Sequence, residues 1–285
     1  MAHEKRGTEY GVLHFDSKQS GTLLEVICAQ TQISPDEIKT LSELGCVYLN
    51  DARIGNLNDI VLAPGQYIRL HTKPRRFYIE PKQIDIVFQN EDFVVANKPS
   101  GIPVHATVDN VRDNLIEFLR VQLGLKLFIT HRLDIATSGL ILLAKTTEFQ
   151  AHFNALLKFG KVVKEYRAVV SPNPGASRIE PGRKLIHYME PSPRSPKTVG
   201  LEPKDGWQRC ILNILDVHPV DNGALEILIG LETGRTHQIR AQLAYEKWPI
   251  VGDISYGSLI EPAHRNQIAL TSHRLNFGNF NFSLD

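Results

Sequence analysis

His131-Arg132-Leu133-Asp134-Ile135-Ala136-Thr137-Ser138-Gly139, running on into Leu140-Ile141-Leu142-Leu143-Ala144, is the stretch from which the rest of the chain is read. The apolar run 139–144 is short and unbroken, which suits a strand buried on both faces. The loop before it crowds one carboxylate, two basic groups and two hydroxyls against that buried strand. Two readings stand on these residues alone. One is a salt-bridged loop in which Thr137 and Ser138 satisfy local backbone groups. The other is a nucleophilic carboxylate, kept ionised by neighbouring cations at the edge of a core.

Working outward, residues 84–88 and 93–97 read as strands separated by polar Asn90-Glu91-Asp92, and a helix is expected around 111–123. After the central strand, 146–159 reads as a helix with Phe149, Phe153, Leu156 and Leu157 on one side. Residues 165–170, 224–231 and 268–272 are further strand candidates. Helices and strands interleave without regular alternation, which favours α+β over a doubly wound sheet. Residues 171–206, rich in Pro, Ser and Arg, look like an extended surface insertion. The sequence has no internal repeat and no low-complexity tract.

Ahead of this lies a smaller module. Ser34-Pro35-Asp36-Glu37 supplies a capping hydroxyl, a proline at the first helical position and a glutamate three residues after the cap. Ile38, Leu41 and Leu44 follow at helical spacing, and Gly45 ends the run. Residues 23–27 suggest another short helix. Residues 46–50 and 66–71 read as strands, with turn signals at Asn50-Asp51 and Pro64-Gly65. Residues 1–20 read as an arm or a strand in need of a partner. Lys73-Pro74-Arg75-Arg76 reads as the linker, so the expected domains are 1–78, a small module with arm and linker, and 79–285, the larger one.

Three more clusters could carry chemistry. Lys98-Pro99-Ser100-Gly101 follows a strand directly and forms a tight turn, expected to aim Lys98 and backbone N–H groups outward; a plain structural turn is the competing reading. Lys164-Glu165-Tyr166-Arg167 holds a strand tyrosine that suits packing as well as chemistry. Thr233-Gly234-Arg235-Thr236-His237-Gln238-Ile239-Arg240 places Gly234, which permits a left-handed turn, before a helix whose N-terminal end favours anions. Arg235, His237, Gln238 and Arg240 then give a density of donors suited to phosphate or carboxylate, and Gly252-Asp253…Tyr256-Gly257 trails behind.

Composition bounds the function. The chain has 285 residues, 42% apolar and 22% charged, which is ordinary globular content. No apolar run approaches the ~20 residues of a membrane helix, and the polar start carries no signal region. A cytoplasmic, non-membrane protein is expected, with Cys28, Cys46 and Cys210 as reduced thiols lacking metal-ligand spacing. Net charge is only +1, so composition does not announce a nucleic-acid binder. Residues 158–209, however, carry eleven Lys and Arg against five Asp and Glu, a stretch that could track phosphates or merely form a solvated face.

Order and spacing together carry more than any one cluster. His-Arg-Leu-Asp-x-x-Thr-Ser-Gly, then Lys-Glu-Tyr, then Thr-Gly-Arg-Thr-His-Gln-Ile-Arg with Gly-Asp…Tyr-Gly resembles the RluA-type RNA pseudouridine synthases, from about residue 84 to about 277. The Lys98-Pro99-x-Gly101 turn is similar to theirs. Residues 21–72 look like a divergent copy of the small RNA-binding module named for a small-subunit ribosomal protein (S4-like). The resemblance implies an α+β fold with a central mixed or antiparallel sheet and flanking helices, preceded by the small α/β module. It implies Asp134 as the essential carboxylate, Tyr166 as the tyrosine against the target uracil, and Arg235 as the cation paired with the carboxylate. Arg132 would help to displace the target nucleotide, and Ile239 would complete the uracil pocket. His131, Thr137, Lys98, His237 and Arg240 are the remaining candidates for substrate or RNA contact. The partner expected is structured RNA, ribosomal before transfer RNA, met by a monomer that needs no cofactor and no metal. Two departures stand out: residues 1–78 hold nine acidic and nine basic residues, where the module's relatives are basic, and the chain ends at Asp285, where members continue further.

The chemistry implied breaks the bond from N1 to C1′ and rejoins the base through C5. A carboxylate can assist at the sugar, as at oxocarbenium-like centres, or attack the base, and removal of a ribose proton involving Tyr166 is a third route. Two competing functions remain: a non-catalytic RNA-binding or ribosome-assembly factor, which has no need of Asp134, Tyr166 and Arg235 together, and a small-molecule hydrolase using Asp134 and His131, for which no nucleophile-elbow pattern is present.

Overall fold

The structure is a computed structural model that describes residues 11–77, 83–220, 223–262, 264 and 266–284. These divide into two compact units, one of residues 11–77 with 105–118, the other of 83–104 with 119–284.

In the first unit β1 (Val12–Asp16), β2 (Gly21–Thr22), α1 (Leu23–Thr31), α2 (Pro35–Glu43), β3 (Val47–Leu49), β4 (Ala52–Ile54), β5 (Val61–Leu62) and β6 (Tyr67–His71) follow in order. Four strands make an antiparallel sheet in the order β1-β6-β3-β4. Thr22 and Glu25 close a reciprocal capping box at the start of α1. Ser34 caps α2, its hydroxyl accepting from the Glu37 N–H at 3.3 Å. The expected helical spacing of Ile38 and Leu41 buries both against Val26, Ile27, Val47, Ile68 and Leu70. Asn50 and Asp51 both adopt left-handed backbone, φ 47° and 64°, which these residues tolerate, so β3 and β4 close as a tight hairpin. The expected arm is seen from Gly11 onward, where β1 pairs with β6; residues 1–10 lie outside the described residues. The expected linker is not free chain. Arg75 donates through its backbone N–H and guanidinium to Asp109 at 2.9–3.2 Å, and Arg76 donates to Asp113 at 2.7 Å, so both arginines clasp the 105–118 segment within this unit.

The second unit is built on one mixed sheet. Its strands are β7 (Asp85–Gln89), β8 (Phe93–Lys98), β9 (Phe128–Ile129), β10 (Ser138–Ala144), β11 (Val162–Val170), β12 (Lys184–Met189), β13 (Val199–Gly200), β14 (Gln208–Pro219), β15 (Leu225–Leu231), β16 (Leu270–Phe277) and β17 (Phe280–Ser283). The main path runs β13-β12-β14-β15-β11-β16-β10-β8-β7, with β17 on β16 and β9 on β10. Only the β10–β16 pairing is parallel among those described. Helix α3 (Leu115–Leu123) is crossed by the unit boundary, and helices α4 (Thr147–Lys158) and α5 (Gln238–Tyr245) flank the sheet. As its apolar run implied, β10 is buried from Gly139 to Ala144. Phe149, Phe153, Leu156 and Leu157 of α4 pack with Phe93, Phe277 and Phe282.

The stretch 171–206 is not a surface insertion. Within it β12 lies in the sheet with Leu185, His187 and Met189 buried, and β13 pairs beside it. The period-two alternation of β12 was present in the sequence but flanked by prolines, and one inward position is a histidine, whose Nδ1 meets the Gln242 side chain at 3.0 Å while its Nε2 stands 3.3 Å from a Glu246 carboxylate oxygen. Part of the basic tract is paired: Arg167, Arg183 and Lys184 meet Glu226, Glu246 and Glu232, which lie on different elements.

Candidate active site around Asp134

Asp134 sits in the loop between β9 and β10, its side chain 22% exposed. The loop is placed from two sides. On one, Gly139 adopts φ +105°, and a Cβ there would lie 2.3 Å from the Ser272 carbonyl oxygen. Only glycine allows β10 to approach β16 at the Ser138–Thr271 and Gly139–Ser272 pairs. Ser272 also faces Tyr166 across β11 and β16, so this close approach brings the Asp134 loop to the tyrosine strand. On the other side, the 98–102 turn clamps the loop from behind. The Gly101 N–H donates to the Ile135 carbonyl at 2.8 Å, and the Ser100 hydroxyl donates to the Ala136 carbonyl at 2.5 Å.

Lys98 completes that clamp, and its expected outward direction is overturned. It is fully buried, and its ammonium donates to the carbonyls of Pro99, Ile102 and Ile135 at 2.9–3.2 Å. Three carbonyls match the three N–H donors of an ammonium. Burial pushes its pKa down to about 7, and the charge of Asp134 opposes that shift. A lysine facing three backbone oxygens has no donor left for RNA.

The cation beside Asp134 is Arg240, not Arg235. Arg240 Nη1 stands 3.7 Å from Asp134 Oδ2, and His237 Nε2 stands 3.9 Å from the same oxygen. Arg235 is exposed, in the turn before α5, where its backbone N–H donates to the Gln238 side chain at 3.0 Å. The left-handed residue in this turn is His237, φ 58°, rather than Gly234. The chain therefore reverses at His237, directing it and Arg240, on the first turn of α5, toward Asp134.

Tyr166 is 6% exposed on β11. Burial first, and the nearby Asp134 charge second, push its phenol well above the ordinary range, and a side-chain hydrogen bond with Ser272 only partly opposes this. The phenol therefore stays protonated at neutral pH, which disfavours it as a base. His237 is held below its usual range by burial, with Arg240 acting in the same sense and Asp134 against it, so it is neutral.

The other candidates separate cleanly. Thr137 is buried, and its N–H donates to the Asp134 carbonyl at 3.1 Å, closing the turn. The His131 ring accepts from the Leu142 N–H at 3.2 Å and stacks on Phe153, and burial lowers its pKa to about 3. It is a neutral ring whose Nε2 is committed to the backbone of β10. Arg132 is exposed beside Asp134 in the loop, and Ile239 is buried on α5. Asp253 and Tyr256 were visible only as a trailing motif. In the structure Asp253 accepts from Arg240 at 2.7 and 2.9 Å, and Tyr256 stands 3.0 Å from His237.

The site can thus present one partly exposed carboxylate, flanked by a fixed cation and a neutral imidazole, beside a protonated phenol. Comparisons with known proteins point the same way. Residues 92–245 match the family model described as RNA pseudouridylate synthase. RNA pseudouridine synthase 6, chloroplastic, of Oryza sativa subsp. japonica is 34% identical over 220 residues, 68% of this chain and 45% of that protein. Ribosomal large subunit pseudouridine synthase D of Haemophilus influenzae is 29% identical over 256 residues, 86% of this chain and 76% of that protein. A further RNA pseudouridine synthase of that organism, named as uncharacterized, is 32% identical over 206 residues, 69% of this chain and 84% of its own length. The chain spans about half the length of the plant relatives. The structure of human RNA pseudouridylate synthase domain containing 1 shares the fold, with a TM-score of 0.55 at 21% identity over 73% of this chain and 84% of that one.

Proposed function

The chain belongs to the RNA pseudouridylate synthase family, and we propose that it isomerises uridine to pseudouridine in structured RNA with Asp134 as the catalytic carboxylate. The observation that carries this reading is the Asp134 environment: one carboxylate oxygen within 4 Å of both Arg240 and His237, with protonated Tyr166 nearby. Asp134 attacks or assists at the sugar or the base while the bond from N1 to C1′ breaks and the base rejoins through C5, C5 giving up its proton and N1 taking one. The Arg240 guanidinium faces the carboxylate and offsets its charge as water leaves the site. Tyr166 packs against the uracil and holds its proton, which favours the routes in which Asp134, not the phenol, handles charge. A base in a duplex cannot reach a carboxylate in this loop, so the target nucleotide is flipped out. Exposed Arg132 takes up the space it leaves, Ile239 forms an apolar wall, and exposed Arg235 contacts phosphate.

The RNA we propose is ribosomal, in keeping with the name of the relative of which this chain covers 76%. We assign the first unit as an S4-like module that orients RNA rather than anchors it, because residues 1–78 carry equal acidic and basic charge and the 105–118 segment adds three acidic residues against one basic. We further propose that the protein acts as a monomer in the cytoplasm. No helix of the described residues is long and apolar enough to cross a membrane. Incubation of the purified protein with ribosomal and transfer RNA fractions from cells lacking its gene, followed by nucleoside analysis, tests the reading. New pseudouridine in the ribosomal fraction is expected. None in either fraction overturns the activity, and appearance in transfer RNA alone overturns the substrate.

A further inference from the structure

The Gly252-Asp253…Tyr256-Gly257 motif has no part in the chemistry proposed so far, yet both its polar side chains end at the residues that flank Asp134. Asp253 is 2% exposed, and its two oxygens accept from Nε and Nη2 of Arg240, itself 8% exposed. That bidentate grip uses one edge of the guanidinium and leaves Nη1 to face Asp134 Oδ2 at 3.7 Å. The Arg240 guanidinium also lies over the Tyr256 ring, 4.7 Å from its centre. The Tyr256 hydroxyl accepts from the Lys197 backbone N–H at 2.7 Å and stands 3.0 Å from His237 Nδ1. Its own proton is then free to go to Nδ1, and the Ser195 hydroxyl, 3.3 Å from the same nitrogen, is a second donor. An Nδ1 that accepts leaves the proton of a neutral imidazole on Nε2, the nitrogen facing Asp134 at 3.9 Å. The turn itself is stiff: the N–H groups of Tyr256 and Ser258 both donate to the Asp253 carbonyl, and Gly257 takes φ +88°.

We propose that Asp253 and Tyr256 are positioning residues, which fix the rotamer of Arg240 and the tautomer of His237 so that two N–H groups converge on one oxygen of Asp134. This deepens the functional reading above and rests on it. Neither residue touches substrate. Asp253 acts through Arg240, and Tyr256 acts through His237.

Epistasis separates such a role from a merely structural one. Asp253→Asn should lower the single-turnover rate of pseudouridine formation at saturating RNA by about tenfold to a hundredfold, the scale of misplacing a catalytic group by an ångström, while the Kd for RNA stays unchanged. Introduced into an Arg240→Lys background, Asp253→Asn should lower the rate no further. Tyr256→Phe should lower the rate by a smaller factor and be silent in a His237→Gln background. Equal losses in parent and background, or losses confined to Kd, overturn the proposal. Should Asp253→Asn fail to fold, Tyr256→Phe, which removes a single oxygen, decides alone: an undiminished rate overturns it. The parent protein serves as the control for the functional reading, since an inactive parent contradicts that reading, whereas an active parent with fully active variants contradicts only the positioning.

Discussion

Arg235 and Arg240 stand five positions apart in one motif, and their surroundings make them different groups. Arg240 is buried and shared between Asp253 and Asp134, whereas Arg235 is exposed. Arg240→Ala should leave two carboxylates without their cation, at a cost of roughly 3–5 kcal/mol in stability, because an uncompensated buried charge remains at Asp253. It should also reduce the rate at saturating RNA sharply. Arg235→Ala should leave that rate within about twofold and reduce the salt slope of RNA binding by about one, the signature of one phosphate contact. Thermal unfolding with single-turnover kinetics on both variants checks the contrast, and the reverse pattern would return the pairing to Arg235. The sequence showed that a carboxylate and a cation meet here but not which arginine supplies the cation. Spacing along a turn does not say which side chain the chain reversal at His237 points inward. Lys98 was misread for a similar reason: a lysine in a turn looks solvated until three carbonyls are found to surround it.

At the scale of elements, the apolar run of β10 and the cap of α2 were legible because each is a local signal: burial on both faces, or a hydroxyl three residues before an N–H. The strands β13, β12 and β14 at one end of the sheet were not, since their pairing is with distant segments and the sequence around them is broken by prolines and polar residues. Gly139 joins the two kinds of information, and Gly139→Ala should cost about 3 kcal/mol or more, as the new methyl meets Ser272 backbone at a strained φ. Denaturant unfolding of that variant measures it, and a change under 1 kcal/mol would mean that β10 and β16 part without penalty. The 105–118 segment gives a pH test. Burial alone would raise the Asp109 pKa, but hydrogen bonds from the Arg75 side chain and N–H and from Thr107 outweigh it and hold the carboxyl at about 2. A carboxyl depressed on folding contributes stability that is complete above its ordinary pKa near 4 and is lost as pH falls toward 2. The contribution is on the order of 2 kcal/mol, and urea titrations from pH 5 to pH 2 should show it in the parent and not in Asp109→Asn. Parallel curves for the two proteins would contradict the clasp.

Across the whole molecule, order and spacing of motifs pointed to the second unit for the candidate site, and there the loop, the tyrosine strand and the start of α5 each carry their own residues to one place. The division of the chain was harder to read. Asp109 and Asp113 lie in a stretch that sequence assigns to the second domain, yet they are bound by Arg75 and Arg76, more than thirty residues earlier, and nothing local announces that. The charge balance was legible as a count but not as a surface, since the basic tract is spread over several elements and part of it pairs with glutamates on other strands and loops. The account turns on Asp134 as the residue that does the chemistry. Its most direct test is pseudouridine formation by purified Asp134→Asn against the parent, under single-turnover conditions on RNA that the parent modifies. The amide keeps the shape of the side chain but cannot serve as an anionic nucleophile or base. RNA affinity and unfolding temperature should match the parent while no pseudouridine forms, and appreciable turnover by the pure variant would contradict the account.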